Sequence, residues 1–201
     1  YDDISNWNTI YIKDMRGLFA HYIEFNDNIN NWNISNVADT SFMFHNCMIF
    51  NQPLNNWNTL KIINMEHMFN NAKKFNQPIN NWNISNVLNM DNMFYFATSF
   101  NQLLDNWNTN NVKYMYGMFC YAKEFNQSIN NWDVSNVNVM NSMFCSAYKF
   151  NQNLNSWNIN KVNNISYIFM NATNFNQLNC NNWDLNNILD CSKQHLFYND
   201  S

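Results

Sequence analysis

The chain has 201 residues, 46% hydrophobic and 17% aromatic, with ten Lys and Arg against fourteen Asp and Glu for a net charge of −4. That aromatic content excludes a disordered polar chain, because there is enough apolar surface to offset chain entropy, and a pI near 5.4 with scattered cations excludes the basic face of a nucleic-acid binder. The longest apolar runs fall well short of the ~18 residues a membrane helix needs, so no transmembrane segment is expected.

From the N-terminus onward a 25-residue period governs the chain. Phe recurs at Phe25, Phe50, Phe75, Phe100, Phe125, Phe150 and Phe175, and Trp7, Trp32, Trp57, Trp82, Trp107, Trp132 and Trp157 keep the same step. A strict period of this length predicts a repeat solenoid in one continuous array over 1–201. Its expected parts are a truncated first coil at 1–24, six regular coils over 25–174 and a divergent C-terminal cap at 175–201, where Trp183 is displaced by one residue. The start at Tyr1, with no Met and no signal peptide, suggests a mature fragment or an excised domain.

Within each coil two elements are expected. Trp82 to Val87 and Trp132 to Val137 mix aromatic and β-branched residues with polar ones and read as short strands, with a bend near Asn86. Met65, Met68, Phe69 and Ala72 then fall at the spacing of one helical face, repeated at Met90, Met93, Phe94 and Ala97, with Asn64 and Asn89 placed as N-caps. The fold class is therefore read as α/β: a leucine-rich-repeat-like solenoid of about eight coils, each with a short strand and a short helix. Stacking such coils puts Trp over Trp, Phe over Phe and Met over Met in buried columns. The 50 asparagines are expected to supply positive-φ turns and inter-coil hydrogen bonds, since Gly numbers only two.

The strings FNQPLNNWNT at 50–59 and FNQPINNWNISNV at 75–87, with the following NMDNMF, resemble the 25-residue repeat of BspA-like surface proteins. That group includes mycoplasma surface lipoproteins, bacterial adhesins and giant-virus proteins. The resemblance implies a leucine-rich-repeat-like solenoid, a cell-surface or virion-surface location, and adhesion or host interaction. It carries over no catalytic residue. A cytoplasmic location is also compatible with the residues themselves.

Residues that break the period are the candidates for chemistry. His21, His45 and His67 fall at neighbouring points of successive coils, and they are read either as solvent-facing variants or as a weak metal site. No nucleophile–base set, HExxH, CxxC or phosphate loop occurs, so neither enzyme activity nor a cofactor is expected. Cys120 and Cys145 share one repeat position in adjacent coils and Cys180 and Cys191 lie together near the end, while Cys47 replaces a core Ala. Two disulfides plus one buried thiol, or five free thiols, both fit that spacing. Six N-x-[ST] sequons occur, at Asn33, Asn83, Asn126, Asn164, Asn171 and Asn199. Asn33 and Asn83 follow the column Trp and are expected within the sheet, where a glycan would disrupt packing.

Aromatics at variable positions gather in two coils: Tyr95 and Phe96, then Tyr114, Tyr116 and Tyr121. Exposed aromatics give large contact area at low entropy cost and suit protein or sugar partners. The expected function is a non-enzymatic surface binding or adhesion module facing a protein or glycan at a cell or particle surface. The alternative is a structural component of a fibre or virus-particle coat, self-associating through coil ends.

Overall fold

The structure, a computed structural model, describes residues 3–188, 193, 196 and 197. It is a stack of 25-residue coils, and it corrects the expected α/β content. Between residues 7 and 176 the backbone forms neither helix nor strand. The named elements are two 3-10 turns, Ile4–Asn6 and Gln177–Cys180. In place of a sheet, a column of isolated parallel bridges links successive coils, from Asp14↔Asp39 through Asn64↔Asn89 to Val139↔Asn164.

The segment expected to be helical is a chain of overlapping turns. Met68, Asn70 and Ala72 donate their amides to the carbonyls of Met65, His67 and Phe69 within the coil, while Met65, His67, Phe69 and Asn71 donate to Asn89, Asp91, Met93 and Tyr95 of the next coil. Alternate amides thus close turns or join coils, and every second residue does each job. His67 at φ 53 and Asn71 at φ 58 occupy the third positions of two of these turns, where a type II turn requires positive φ. Met65 with Met68, and Phe69 with Ala72, are the first and last residues of those two turns, and all four are buried. Two consecutive inward-facing turns reproduce the i, i+3, i+4, i+7 spacing of a helix without being one. Asn64 and Asn89 do act as caps, but of turns: their Oδ1 atoms accept the amides of Glu66 and Asp91.

The expected strand at 82–87 is likewise turned back on itself. Val87 donates to the Ile84 carbonyl, closing a turn over Ser85 and Asn86. That turn sits where the bend was expected, and it lets Trp82 and Val87 both face inward despite their opposite strand parity.

The F-N-Q string is explained by its columns. Phe50, Phe75, Phe100, Phe125 and Phe150 are fully buried and stack at centroid distances of 5.9 to 6.1 Å. Each also lies face to face with the turn Phe of its own coil, as Phe69 does with Phe75 at 3.9 Å. The Asn that follows forms an unbroken ladder in which Oδ1 of Asn26, Asn51, Asn76, Asn101, Asn126 and Asn151 accepts the amide of its successor at 2.9 Å. Gln77, Gln102, Gln127 and Gln152 donate Nε2 to the same oxygens. Trp is needed one step further on because its indole N–H reaches a carbonyl of the preceding coil, as Trp82 reaches Leu54 at 3.0 Å and Trp107 reaches Ile79 at 3.1 Å.

The Trp column departs from expectation in two ways. Trp7 is 55% exposed, whereas Trp32 to Trp157 are buried. The rings also stand in pairs: Trp7 with Trp32, Trp57 with Trp82, and Trp107 with Trp132 are 6.1 Å apart, and Trp157 with Trp183 6.2 Å. Among the described residues no ring contact joins one pair to the next. The pairing follows a two-coil alternation, with isoleucine coils (Ile29, Ile79, Ile129) alternating with leucine coils (Leu54, Leu104, Leu154). From isoleucine to leucine coil, the Asn30, Asn80 and Asn130 side chains accept the amides of Asn56, Asn106 and Ser156. From leucine to isoleucine coil, Thr59 and Thr109 donate hydroxyls to the carbonyls of residues 83 and 133, and Thr9 of the first coil, where Ile4 stands in the leucine place, donates likewise to residue 33.

Candidate binding surfaces

The aromatic flank is assembled by left-handed backbone. At one column, residues 21, 46, 71, 96, 121, 146 and 171 all have positive φ, between 54° and 68°. His, Asn or Ser occupies five of these positions, and Phe96 and Tyr121 the other two. The Phe96 and Tyr121 rings stack at 4.2 Å and 9°, and Tyr95 packs edge-on to both at 4.9 and 6.1 Å. All three are half-buried, and burial lifts the Tyr95 hydroxyl pKa above its ordinary value. Tyr114 and Tyr116, 41% and 39% exposed, lie earlier in the same coil as Tyr121, with no ring contact to this cluster among the described residues. Tyr116 donates its amide to Asp91 Oδ1 at 2.6 Å. Burial raises the Asp91 pKa to about 6 against that bond, and the Glu66 charge adds to the rise.

The histidines do meet. The His21 and His45 rings are 4.9 Å apart and His45 and His67 6.0 Å, both edge to face. One nitrogen of each ring, however, faces an amide: Asn46 Nδ2 lies 3.0 Å from His21 Nδ1 and 3.1 Å from His45 Nε2, and Asn70 Nδ2 lies 2.7 Å from His67 Nδ1. His67 also stacks on Phe42 at 4.5 Å. Burial, reinforced by His45, lowers the His67 pKa to about 4, and burial and His21 lower that of His45. Among the described residues no three His, Cys, Asp or Glu are arranged to hold a metal ion.

Cys47, Cys120, Cys145 and Cys180 are buried thiols. Cys120 and Cys145 are hydrogen-bonded neighbours, and that contact together with burial raises the Cys120 pKa. Cys47 fills the Ala position, its thiol donating to the Phe19 carbonyl, and burial raises its pKa to about 12. Cys191 and Asn199 lie outside the described residues. Asn33 and Asn83 are exposed, not enclosed in a sheet, because the chain turns immediately after them. Their Oδ1 atoms accept both the amide and the hydroxyl of Ser35 and Ser85.

Two surface features were not read from the sequence. Hollows of about 460 and 560 Å³ open beside Trp32 and Trp82, where the Trp stacking is interrupted. Asn30, Asn33, Asn56 and Asn58 line the first, and Asn80, Asn83, Asn106 and Asn108 the second. The alternation of Ile29, Ile79 and Ile129 with Leu54, Leu104 and Leu154 before Trp, and of Ser35, Ser85 and Ser135 with Leu60, Asn110 and Asn160 after it, is the signal that a strict 25-residue period averages away. A shallower groove of about 490 Å³ includes Ala38, Ile63 and Leu88 from consecutive coils.

Among the described residues no helix is long and apolar enough to cross a membrane. No curated protein and no solved structure matches the chain. The model of a family described as "Mycoplasma protein of unknown function, DUF285" matches residues 1–107 and again 97–200. These two matches span the repeat array, and the chain belongs to that mycoplasma-type repeat family.

Proposed function

We propose that the chain is a non-enzymatic binding module of the BspA-like adhesive kind, presenting the aromatic flank to a protein or glycan on a cell or particle surface. The observation that carries this reading is backbone strain held by aromatic side chains. Phe96 at φ 56 and Tyr121 at φ 57 sit in the left-handed region, which costs an ordinary L-residue roughly 1–2 kcal/mol. Equivalent positions use Asn46, Asn71 and Asn171, and Asn tolerates that conformation far better. Strained residues persist where the surrounding fold over-determines them, and they concentrate at ligand sites. Two successive strained aromatics, stacked on each other and accessible on one side, favour recognition over packing as their reason, because the core columns beneath them are complete without them.

The double variant Phe96→Asn and Tyr121→Asn tests this. Relief of strain offsets the loss of one stacked pair, worth about 0.5–1.5 kcal/mol, so the thermal midpoint should hold. Retention of the labelled chain on intact cells should fall at least tenfold relative to the unchanged protein. Undiminished retention by a folded double variant would exclude the flank as the contact surface.

A further inference from the structure

One column of the stack runs Asn70, Tyr95, Cys120, Cys145 and Met170, so two thiols follow one another directly in adjacent coils. We infer that Cys120 and Cys145 are a modification site, an inter-coil disulfide formed by exchange with a small-molecule disulfide of the glutathione type. The two residues have the same place in the same turn: the Cys120 amide donates to the Gly117 carbonyl and the Cys145 amide to the Ser142 carbonyl, both at 3.0 Å. Across the junction the Tyr121 amide donates to the Cys145 carbonyl at 2.8 Å. Ring pairs on either side of the thiols measure the step between these two coils, 5.8 Å from Phe119 to Phe144 and 5.9 Å from Phe125 to Phe150. A disulfide joins Cα atoms roughly 4.4–6.8 Å apart, and the coil step lies inside that window. The thiols are already in hydrogen-bond contact. The other described cysteines have no such neighbour: Cys47 donates to the Phe19 carbonyl and Cys180 to that of Gln177, and no cysteine stands one coil away from either.

Cys145 is 7% exposed and Cys120 4%, so an outside disulfide reaches Cys145 first. Its thiolate attacks one sulfur of oxidised glutathione, and one glutathione thiolate leaves. The Cys120 thiolate then attacks Sγ of Cys145 in the mixed disulfide, forming the Sγ–Sγ bond and expelling the second glutathione. The two protons given up by the cysteines end on the two glutathione thiols, and the two electrons lost by the cysteines reduce the small disulfide. Contact with Cys145 and burial hold the Cys120 pKa up, which slows its reaction with outside reagents. Proximity to the Cys145 sulfur offsets that slowness in the second step alone. The bond closes a 25-residue loop across a junction otherwise held by hydrogen bonds and stacked rings, and so removes conformations from the unfolded chain. By linkage the fold favours the bond as much as the bond favours the fold.

That reciprocity supplies the test. The full chain is equilibrated with mixtures of reduced and oxidised glutathione, in buffer and in urea sufficient to unfold it, then quenched in acid, alkylated and digested without reduction for mass spectrometry. The folded chain should yield peptides joined through Cys120 and Cys145, with an oxidation constant at least tenfold above that of the unfolded chain. Its thermal midpoint should rise by about 3 °C or more on oxidation and return on addition of dithiothreitol. Cys145→Ala supplies the side chain that Ala20 already places in this column, and it should lose both the joined peptides and the oxidation-dependent rise; Cys120→Ala makes the same comparison from the other coil. An oxidation constant no higher in the folded chain, separate glutathione adducts on the two cysteines, or a midpoint that oxidation leaves unchanged or lowers would overturn the inference. The Phe96→Asn, Tyr121→Asn variant should oxidise like the unchanged protein, so this site and the aromatic flank stand or fall separately.

Discussion

At the scale of single residues, asparagine does more than open turns. Among the described residues twelve non-glycine positions have positive φ, and Asn46, Asn71, Asn92 and Asn171 are the Asn among them; the others include Phe42, Phe96, Tyr121 and Tyr167. Most of the remaining Asn seen to act do so through side-chain ladders and through Asx turns such as that of Asn83 with Ser85. The inter-coil role was legible in the sequence because Asn kept a fixed place beside Phe. Its split between ladder and turn was not, since both roles use the same side chain. His67 gives a prediction at this scale. Its ring is enclosed by Phe42, His45, Asn70 and Asn92, with the Glu66 carboxylate 3.8 Å from Nε2. Because the folded pKa falls from 6.5 to about 4, the neutral ring is favoured in the fold. Its stabilisation is fully present above pH 6.5 and is lost as pH falls through about 4. Asp91, raised from 3.8 to about 6, acts with the opposite sign: its stabilisation is present below pH 3.8 and is lost as pH rises through about 6. Asn92 occupies the equivalent position at φ 54, so His67→Asn should fold. Urea midpoints measured from pH 7.5 to 4 should fall less steeply for the variant, and parallel curves would show that His67 does not titrate against the fold.

At the scale of elements, the apolar spacing located the buried Met, Phe and Ala columns yet misassigned the backbone that produces them. Met65, Met68, Phe69 and Ala72 are core residues as expected. Periodicity reports which side chains face inward, and two abutting turns place them as one helix would. The distinguishing sign is the left-handed residue inside the apparent helix, which the sequence shows clearly only where it is glycine. Gly17 and Gly117 are such positions, at φ 62 and φ 56. Gly117 has a second reason to lack a side chain: an added Cβ would fall 2.4 Å from Asn92 Oδ1, whereas at Gly17 the nearest atom is 3.9 Å away. Ala at either site meets the left-handed penalty of roughly 1–2 kcal/mol, and at Gly117 the Asn92 side chain must also move. In thermal unfolding Gly117→Ala should lose clearly more stability than Gly17→Ala. Equal losses would mean that Asn92 yields freely.

At the scale of the whole molecule, stability should follow nearest-neighbour logic, each coil bonded to the one before and the one after. The alternation makes those neighbours unlike. A leucine coil presents its Thr hydroxyl and Trp face to the isoleucine coil after it, as Thr59 and Trp57 do to residue 83 and Trp82. An isoleucine coil receives the next leucine coil through its Asn side chain, as Asn80 receives Asn106. The structural unit is therefore fifty residues, and coil deletion can test it. Removing 51–100 joins an isoleucine coil to a leucine coil, keeping both kinds of junction and the Phe columns. Removing 76–100 alone sets one leucine coil on another, so Thr59 meets the wrong partner and the Trp pairing loses its phase. In a simple count of coils the longer deletion should be the more damaging. The alternation predicts the reverse: the fifty-residue deletion should unfold cooperatively at a midpoint near that of the intact chain, while the 25-residue deletion unfolds at lower temperature. Should the shorter deletion prove the more stable of the two, the coils would be interchangeable and the paired Trp column would have no energetic weight.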